Sequence, residues 1–434
     1  MKTIIIGAGI TGLSSAYHLK KDYLIFEKEN VPGGLCRTFN ISGFTFDFSG
    51  HFIHLKNDYS KKFVFSLLGK NIVAVARNSW IYSNKSLTPY PYQANLYGLP
   101  KDVINDCLAG LIQAKINKIL KKDNHNKKIK TFKTWVLETF GEGFGKHFFF
   151  PYNEKLWTVD SSVLTDDWIA NFVPQPDIKD IINGAFFKQQ KTYGYNASFF
   201  YPKNGGIQSL INSLVPKVTN LKVNSPVNKI SLKDKTVLSN GTKYSYNNLI
   251  STMPLPELLE TIIDLPKDIK KLKSKLKWNS VTCLNAGIKT KDIQKDKHWV
   301  YFPEKKFSFY RTGFYHNISG NTVPDNCSSM YIEASHRHNA STTDKSIITD
   351  SLKELKNSKI LKSGENFAVK QVLHIPCAYV IYDKHRTDVL NKINAFLLAN
   401  KIHSIGRYGA WKYSYIEESI LDGKATAEKI NNKS

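Results

Sequence analysis

Residues 3–19, TIIIGAGITGLSSAYHL, pass from a β-branched segment through three glycines into a helical pattern. Thr3 to Ile6 has the composition of a short buried strand, and the apolar spacing up to Leu19 is that of a helix. Gly7, Gly9 and Gly12 stand between them at GxGxxG spacing. The first permits a tight turn, the second lets a pyrophosphate approach the backbone, and the third lets helix and strand pack closely. The helix N-terminus then faces the phosphates. A lone GxGxxG is weak. Here a second strand, Tyr23 to Phe26, follows and ends in Glu27, where an acid can accept hydrogen bonds from ribose hydroxyls. The spacing predicts an α/β protein with a Rossmann-type dinucleotide-binding domain.

The rest of the chain sets limits on that reading. At 434 residues it can hold two or three domains. Apolar content of 41% and charged content of 22% are those of a soluble globular protein. The net charge of +25 suggests nucleic acid, an anionic surface or a polyanionic substrate, but the lysines are scattered and no recognition helix or RNA-binding motif accompanies them. No nucleic-acid partner is expected. Cys36, Cys107, Cys283, Cys327 and Cys377 lie far apart without CxxC spacing, which predicts neither a disulfide framework nor a zinc site. The N-terminus has a lysine and an apolar stretch, as a signal peptide does, but its glycines and polar residues fit the nucleotide turn better. No run of about 18 apolar residues follows, so no spanning helix is expected and the expected location is cytoplasmic.

Glu27 continues into EKENVPGGLCRTF, with Gly33, Gly34 and Arg37 just after the acid. This resembles the flavoprotein group that includes amine oxidases, protoporphyrinogen oxidases and UDP-galactopyranose mutases. The resemblance implies FAD, with Gly34 and Arg37 continuing along its pyrophosphate and the Val227 backbone at the adenine. Near the end, SIGRYGAWKY feeds a helical pattern, so that Gly406 and its neighbours offer N–H groups to a flavin carbonyl.

Other segments are not required by a flavin. Pro89 to Gln93, PYPYQ, is either an X-Pro loop with surface tyrosines or an aromatic face with an amide for a base edge. In PYNEKLW, Asn153 and Trp157 carry N–H groups that want partners when buried. Arg311, at the end of a strand-like segment, is either an outward charge or a clamp for a diphosphate. In order along the chain, DFSGHFI, PYPYQ, PYNEKLW, YGYNA, VYFPE with FYR, AYVIY and GRYGAWKY resemble the UDP-galactopyranose mutases, in particular their eukaryotic branch.

That resemblance implies site roles. Tyr90 and Gln93 would bind uracil, and Asn153 and Trp157 the nucleoside. Tyr301, Arg311, Tyr379 and Tyr413 would surround the diphosphate, with Asn196 beside flavin and sugar. Arg407 and Tyr413 would also lie near the flavin, as would the Gly50-His51 pair, whose missing Cβ lets the backbone approach it. Arg311, His51 and Asn196 are the expected catalytic residues. The implied reaction is a redox-neutral pyranose–furanose interconversion of a nucleotide sugar, with N5 of reduced FAD as nucleophile at the anomeric carbon and NADPH or NADH as candidate reductants. One position departs from the family: Phe172 stands where a second arginine is expected. Losing a charge-assisted contact there would cost roughly 1.5–3 kcal/mol unless a nearby cation replaced it. The alternative is a flavin oxidoreductase of the amine-oxidase or protoporphyrinogen-oxidase kind.

Within FDFSGHFIHL, residues 46–55, His51 is therefore read as a flavin contact and His54 as a histidine at a strand end, with no metal site. Ser49 replaces a further glycine of the family. Pro266 to Trp278 predicts an amphipathic helix with Ile269, Leu272 and Leu276 on one face, either solvated or resting weakly on an anionic membrane. The expected organisation is a discontinuous FAD domain (1–80, 197–255, 385–434), a helical domain (85–196) and an antiparallel sheet supporting the substrate (256–384). Gly205 and Gly206 are the expected pivots of the loop rejoining the FAD domain.

Overall fold

The computed structural model describes residues 2–120, 131–169, 172–189, 191, 193–194, 197–340 and 344–432. Thr3–Ile6 is the central strand of a five-stranded sheet, ordered Ile402–Ser404, Asn248–Ser251, Thr3–Ile6, Tyr23–Phe26, Leu221–Lys222. Every pairing in it is parallel. A parallel strand is covered on both faces, which is why TIII shows no polar alternation. Ile5, Ile25 and Ile250 face the helices Ile10–His18 and Ile416–Asn432. Ile4, Ile6 and Phe26 face the other way, towards an antiparallel three-stranded sheet that begins with Val227–Ser231.

A second large sheet has seven strands: Phe367–Val380, Trp278–Ile288, Ser328–Arg337, Arg311–Gly313, Trp299–Tyr301, Ser79–Ser83 and Ser86–Pro89. The α/β architecture expected from the sequence is the one observed, with one difference in detail. Trp299–Tyr301 pairs in parallel with Ser79–Ser83, because that edge is supplied by the N-terminal part of the chain and not by a hairpin. Lys101–Leu120, Phe132–Thr139 and a continuous helical stretch from Gly141 to Trp157, which contains a π turn at Gly145–Phe149, pack on one another.

The lysine-rich segment forms a shorter helix than expected, Lys267–Leu272 with a further turn at Lys273–Lys275. Leu276 lies beyond it, and Trp278 opens the strand Trp278–Ile288, pairing with Val380 of the neighbouring strand. Ile269 and Leu276 are buried in the main core, so two of the three residues of the expected apolar face are spent on packing. Among the described residues no helix is long and apolar enough to cross a membrane. Gly205 and Gly206 adopt φ of +76° and +61°, a region that favours glycine.

Candidate functional site

Gly12 and Gly9 differ in what surrounds them. A Cβ at Gly12 would lie 2.0 Å from the Gly7 carbonyl oxygen, so close helix–strand packing alone requires glycine there. At Gly9 a Cβ would meet nothing nearer than 3.9 Å, and that neighbour is the Cα of Gly34. The protein's own packing therefore does not explain Gly9, whereas a group approaching this backbone from outside does. Gly9 and Gly33 form a parallel bridge, and Arg37 Nε donates to the Gly34 carbonyl at 3.0 Å. Glu27 is buried, its carboxylate accepting from the Ala8 N–H at 2.7 Å and the Glu29 N–H at 3.0 Å. The Ser225 N–H bonds to the Glu27 carbonyl, bringing the start of Val227–Ser231 beside the acid. Gly406 sits against Thr11 of the first helix. The glycine turn, Gly34, Glu27 and Gly406 thus converge, and they fit a dinucleotide laid along the first helix.

A cavity of about 260 Å³ opens where the helical stretch, the seven-stranded sheet and the C-terminal segment meet. Of the residues expected at the substrate and flavin, Gly50, His51, Tyr90, Gln93, Asn153, Trp157, Tyr301, Arg311, Tyr379, Arg407 and Tyr413 all line it. Asn196 lies outside the described residues. Gly7, Gly9, Gly12, Glu27, Gly34, Arg37, Val227 and Gly406 are not in its lining.

The two cavity arginines are held differently. Arg311 stands directly opposite Glu333 on the neighbouring strand, and its Nε and Nη2 both donate to that carboxylate, the latter at 2.9 Å. Glu333 is 1% exposed and also accepts from the Ser49 hydroxyl. Burial pushes its carboxyl up, but the Arg311 charge and these hydrogen bonds outweigh that, and the group is held below the usual range. Arg407 donates to the carbonyls of Ser414 (2.6 Å) and Ala378 (2.8 Å) and lies over the rings of Tyr379 and Tyr413. It is within 4.0 Å of no carboxylate among the described residues. Burial keeps the hydroxyls of Tyr90, Tyr379 and Tyr413 protonated well past neutral pH, so they are hydrogen-bond donors.

Some expected contacts are already engaged within the chain. Asn153 Nδ2 donates to the Phe149 carbonyl, and Trp157 Nε1 donates to Asn153 Oδ1 at 3.3 Å, one helical turn apart. The Gln93 amide donates to the Pro174 carbonyl at 2.6 Å. Phe172 borders the cavity and packs edge-on against Tyr413, with ring centroids 4.5 Å apart. Among the described lining residues, Arg311 and Arg407 are the only lysines or arginines, so no other lining cation replaces the one expected at position 172.

The FDFSGHFIHL stretch resolves into a strand that ends at Asp47 and a loop. A Cβ at Gly50 would sit 2.5 Å from the Tyr331 hydroxyl, so packing against that ring already demands glycine there. Ser49 has φ +153°, a conformation that favours glycine, and its hydroxyl on Glu333 anchors it. Burial lowers both His51 and His54 to about 4, leaving them neutral at pH 7. His54, read as a plain strand-end histidine, also borders the cavity and lies beyond the strand. No cluster of metal-ligating residues exists among the described residues.

Sequence reasoning passed over Glu333, Tyr152 and Tyr310, although Tyr152 and Tyr310 line the cavity. The available signal for Glu333 was an acid inside SSMYIEASHR, at a buried position of an otherwise apolar and small-residue strand.

The profile of flavin containing amine oxidoreductases matches residues 10–431. Among solved structures, reduced UDP-galactopyranose mutase superposes with a TM-score of 0.93 at 27% identity, covering 100% of this chain and 96% of that one. Curated relatives align over shorter stretches. A protein encoded in the nifH2 3′ region of Methanothermococcus thermolithotrophicus is 48% identical over 61 residues, 13% of this chain and 59% of that protein. Coproporphyrinogen III oxidase of Staphylococcus aureus is 32% identical over 111 residues, 23% of this chain and 22% of that enzyme.

Proposed function

The chain belongs to the flavin containing amine oxidoreductases, whose cofactor is FAD, and from that premise we propose that it is a nucleotide-sugar pyranose–furanose mutase of the UDP-galactopyranose mutase kind. The observation that carries this reading is the cavity's equipment: two arginines and a set of protonated tyrosines, the chemistry of a diphosphate clamp. Bound FAD in its reduced form, supplied with electrons by NADPH or NADH, would provide through N5 the nucleophile for the anomeric carbon.

The side chains orient and hold. Arg311, fixed by Glu333, presents its outer edge to the departing diphosphate, and Tyr301, Tyr379 and Tyr413 donate to its oxygens. Retaining the diphosphate in the cavity lets it return to the same sugar after the ring has reclosed. Tyr90 and Gln93 receive the base, and the wall formed by Asn153 and Trp157 receives the ribose. His51, uncharged and in the cavity lining, is assigned to the flavin, and Asn196 to the flavin and the sugar. Aromatic rings lining the cavity limit water. The three-part division expected from the sequence remains our reading of how these segments group, as does a cytoplasmic location.

Phe172 favours a second reading. A cavity with one cation fewer and an aromatic wall also suits an oxidase acting on a less charged substrate. Aerobic incubation with primary amines, read as hydrogen peroxide, should give no turnover, whereas dithionite-reduced protein should convert UDP-galactofuranose. Peroxide from amines without sugar isomerisation rejects the mutase reading.

A further inference from the structure

The helix Phe150–Trp157 gives the cavity Tyr152, Asn153 and Trp157 and also carries Lys155, which is not in the cavity lining. The Lys155 ammonium donates to three backbone carbonyls: Phe302 at 2.8 Å, Glu304 at 2.6 Å and Phe309 at 3.2 Å. All three belong to the turn between Trp299–Tyr301 and Arg311–Gly313, so the turn is bounded by the two cavity residues Tyr301 and Arg311. Phe302, Phe307 and Phe309 pack this turn and are buried. Carbonyls in such a setting have little water to turn to, and three N–H groups match three acceptors.

We propose that Lys155 is a positioning residue that ties the helical wall of the cavity to the Tyr301–Arg311 turn, and so sets the span across which a nucleoside diphosphate is held. The nucleoside-diphosphate part of this claim rests on the functional reading above; the tie itself does not. Nothing in the reaction needs a lysine at this place, which explains why its role was not apparent from the chemistry. Burial draws the ammonium down to about 7, opposed by Glu354 and Glu304. Glu304 itself pairs with Lys306, and Glu354 accepts from the Ser308 N–H and hydroxyl. Once deprotonated, the amine has two donors for three carbonyls, and the tie loosens.

The test is UDP titration of the flavin-loaded protein, followed by tryptophan fluorescence, for the wild type, Lys155→Arg and Lys155→Met. Lys155→Met should weaken UDP binding by about tenfold, and Lys155→Arg, which keeps a charged multi-donor group, should recover most of it. Wild-type affinity should fall relative to Lys155→Arg as the pH rises from about 6 to about 8.5, because only the lysine loses its charge there. A folded Lys155→Met protein with unchanged affinity overturns the proposal. Should that variant not fold, parallel pH curves for the wild type and Lys155→Arg overturn it instead. If the wild type binds no UDP, the functional reading fails. The tie is then decided by the protection of the Phe302, Phe307 and Tyr310 amides, taken relative to the intrinsic exchange rate at each pH: protection that falls above about pH 8 in the wild type and not in Lys155→Arg supports it, and identical protection in the two proteins rejects it.

Discussion

A Cβ at Gly12 would lie 2.0 Å from the Gly7 carbonyl, whereas Arg311 is held at the cavity because Glu333 stands opposite it on the next strand. The first region is shaped by leaving side chains out over six residues of continuous sequence. The second is shaped by side chains brought together from distant segments, with charge matched inside the protein. A backbone site should therefore fail through steric overlap, and the cavity should fail through unbalanced charge.

The largest expected effect of this kind is acid sensitivity on the cavity side. His51 and His54 in the cavity lining, and His298 next to the lining residue Trp299, are each lowered to about 4 by burial. Their neutral forms favour the fold above the unfolded histidine range, and that stability is lost as pH falls from about 6.5 towards 4, up to about 3 kcal/mol for each. Asp47 runs the other way. Burial raises it to about 6, so its contribution is full below its unfolded value and lost as pH rises through 6. With three groups against one, urea midpoints should fall between pH 7 and pH 4.5, and Asp47→Asn should steepen the fall. A flat profile breaks this side of the comparison.

Next comes the buried pair. Glu333→Ala leaves Arg311 without its carboxylate and should cost about 3–5 kcal/mol in denaturant unfolding, while the double variant with Arg311→Ala should cost less than the sum. Additive costs would mean that the two groups are not coupled. On the backbone side, Gly12→Ala should lose about 1–3 kcal/mol together with bound flavin, read by melting and by visible absorbance. Gly9→Ala sharpens the contrast: with φ −72° and open space at Cβ it should stay within about 1 kcal/mol of the wild type yet purify with little flavin. Smallest is a gain. Phe172→Arg, placing a cation beside Tyr413, should tighten UDP binding by about tenfold in calorimetry, and unchanged affinity would place the diphosphate elsewhere.

The two regions also differ in how far they could be read from the sequence. The glycine turn was legible because each glycine's role lies within a few residues of it: the turn, the helix start and the acid after the second strand. Most of the cavity lining was legible only through the family resemblance, since Tyr90, Arg311 and Tyr413 are far apart in the chain. Glu333 and Lys155 escaped for the same reason, their partners being set by strand register and, for the helical Lys155, by a turn of the seven-stranded sheet. Asn153 and Trp157 were singled out as polar groups needing partners, and helical spacing supplies those partners locally: Asn153 donates to the Phe149 carbonyl one turn before it and accepts from Trp157 one turn after it. Leu276 followed the helical period of its segment and yet left the helix, because the long strand starting at Trp278 takes over the chain.

The most direct measurement is anaerobic incubation of the dithionite-reduced protein with UDP-galactofuranose, with nucleotide sugars separated by chromatography and flavin absorbance recorded before and after. The expected result is UDP-galactopyranose as product with the flavin still reduced, since the proposed reaction is redox-neutral. Unchanged substrate, or product formed only as the flavin changes oxidation state, would contradict it.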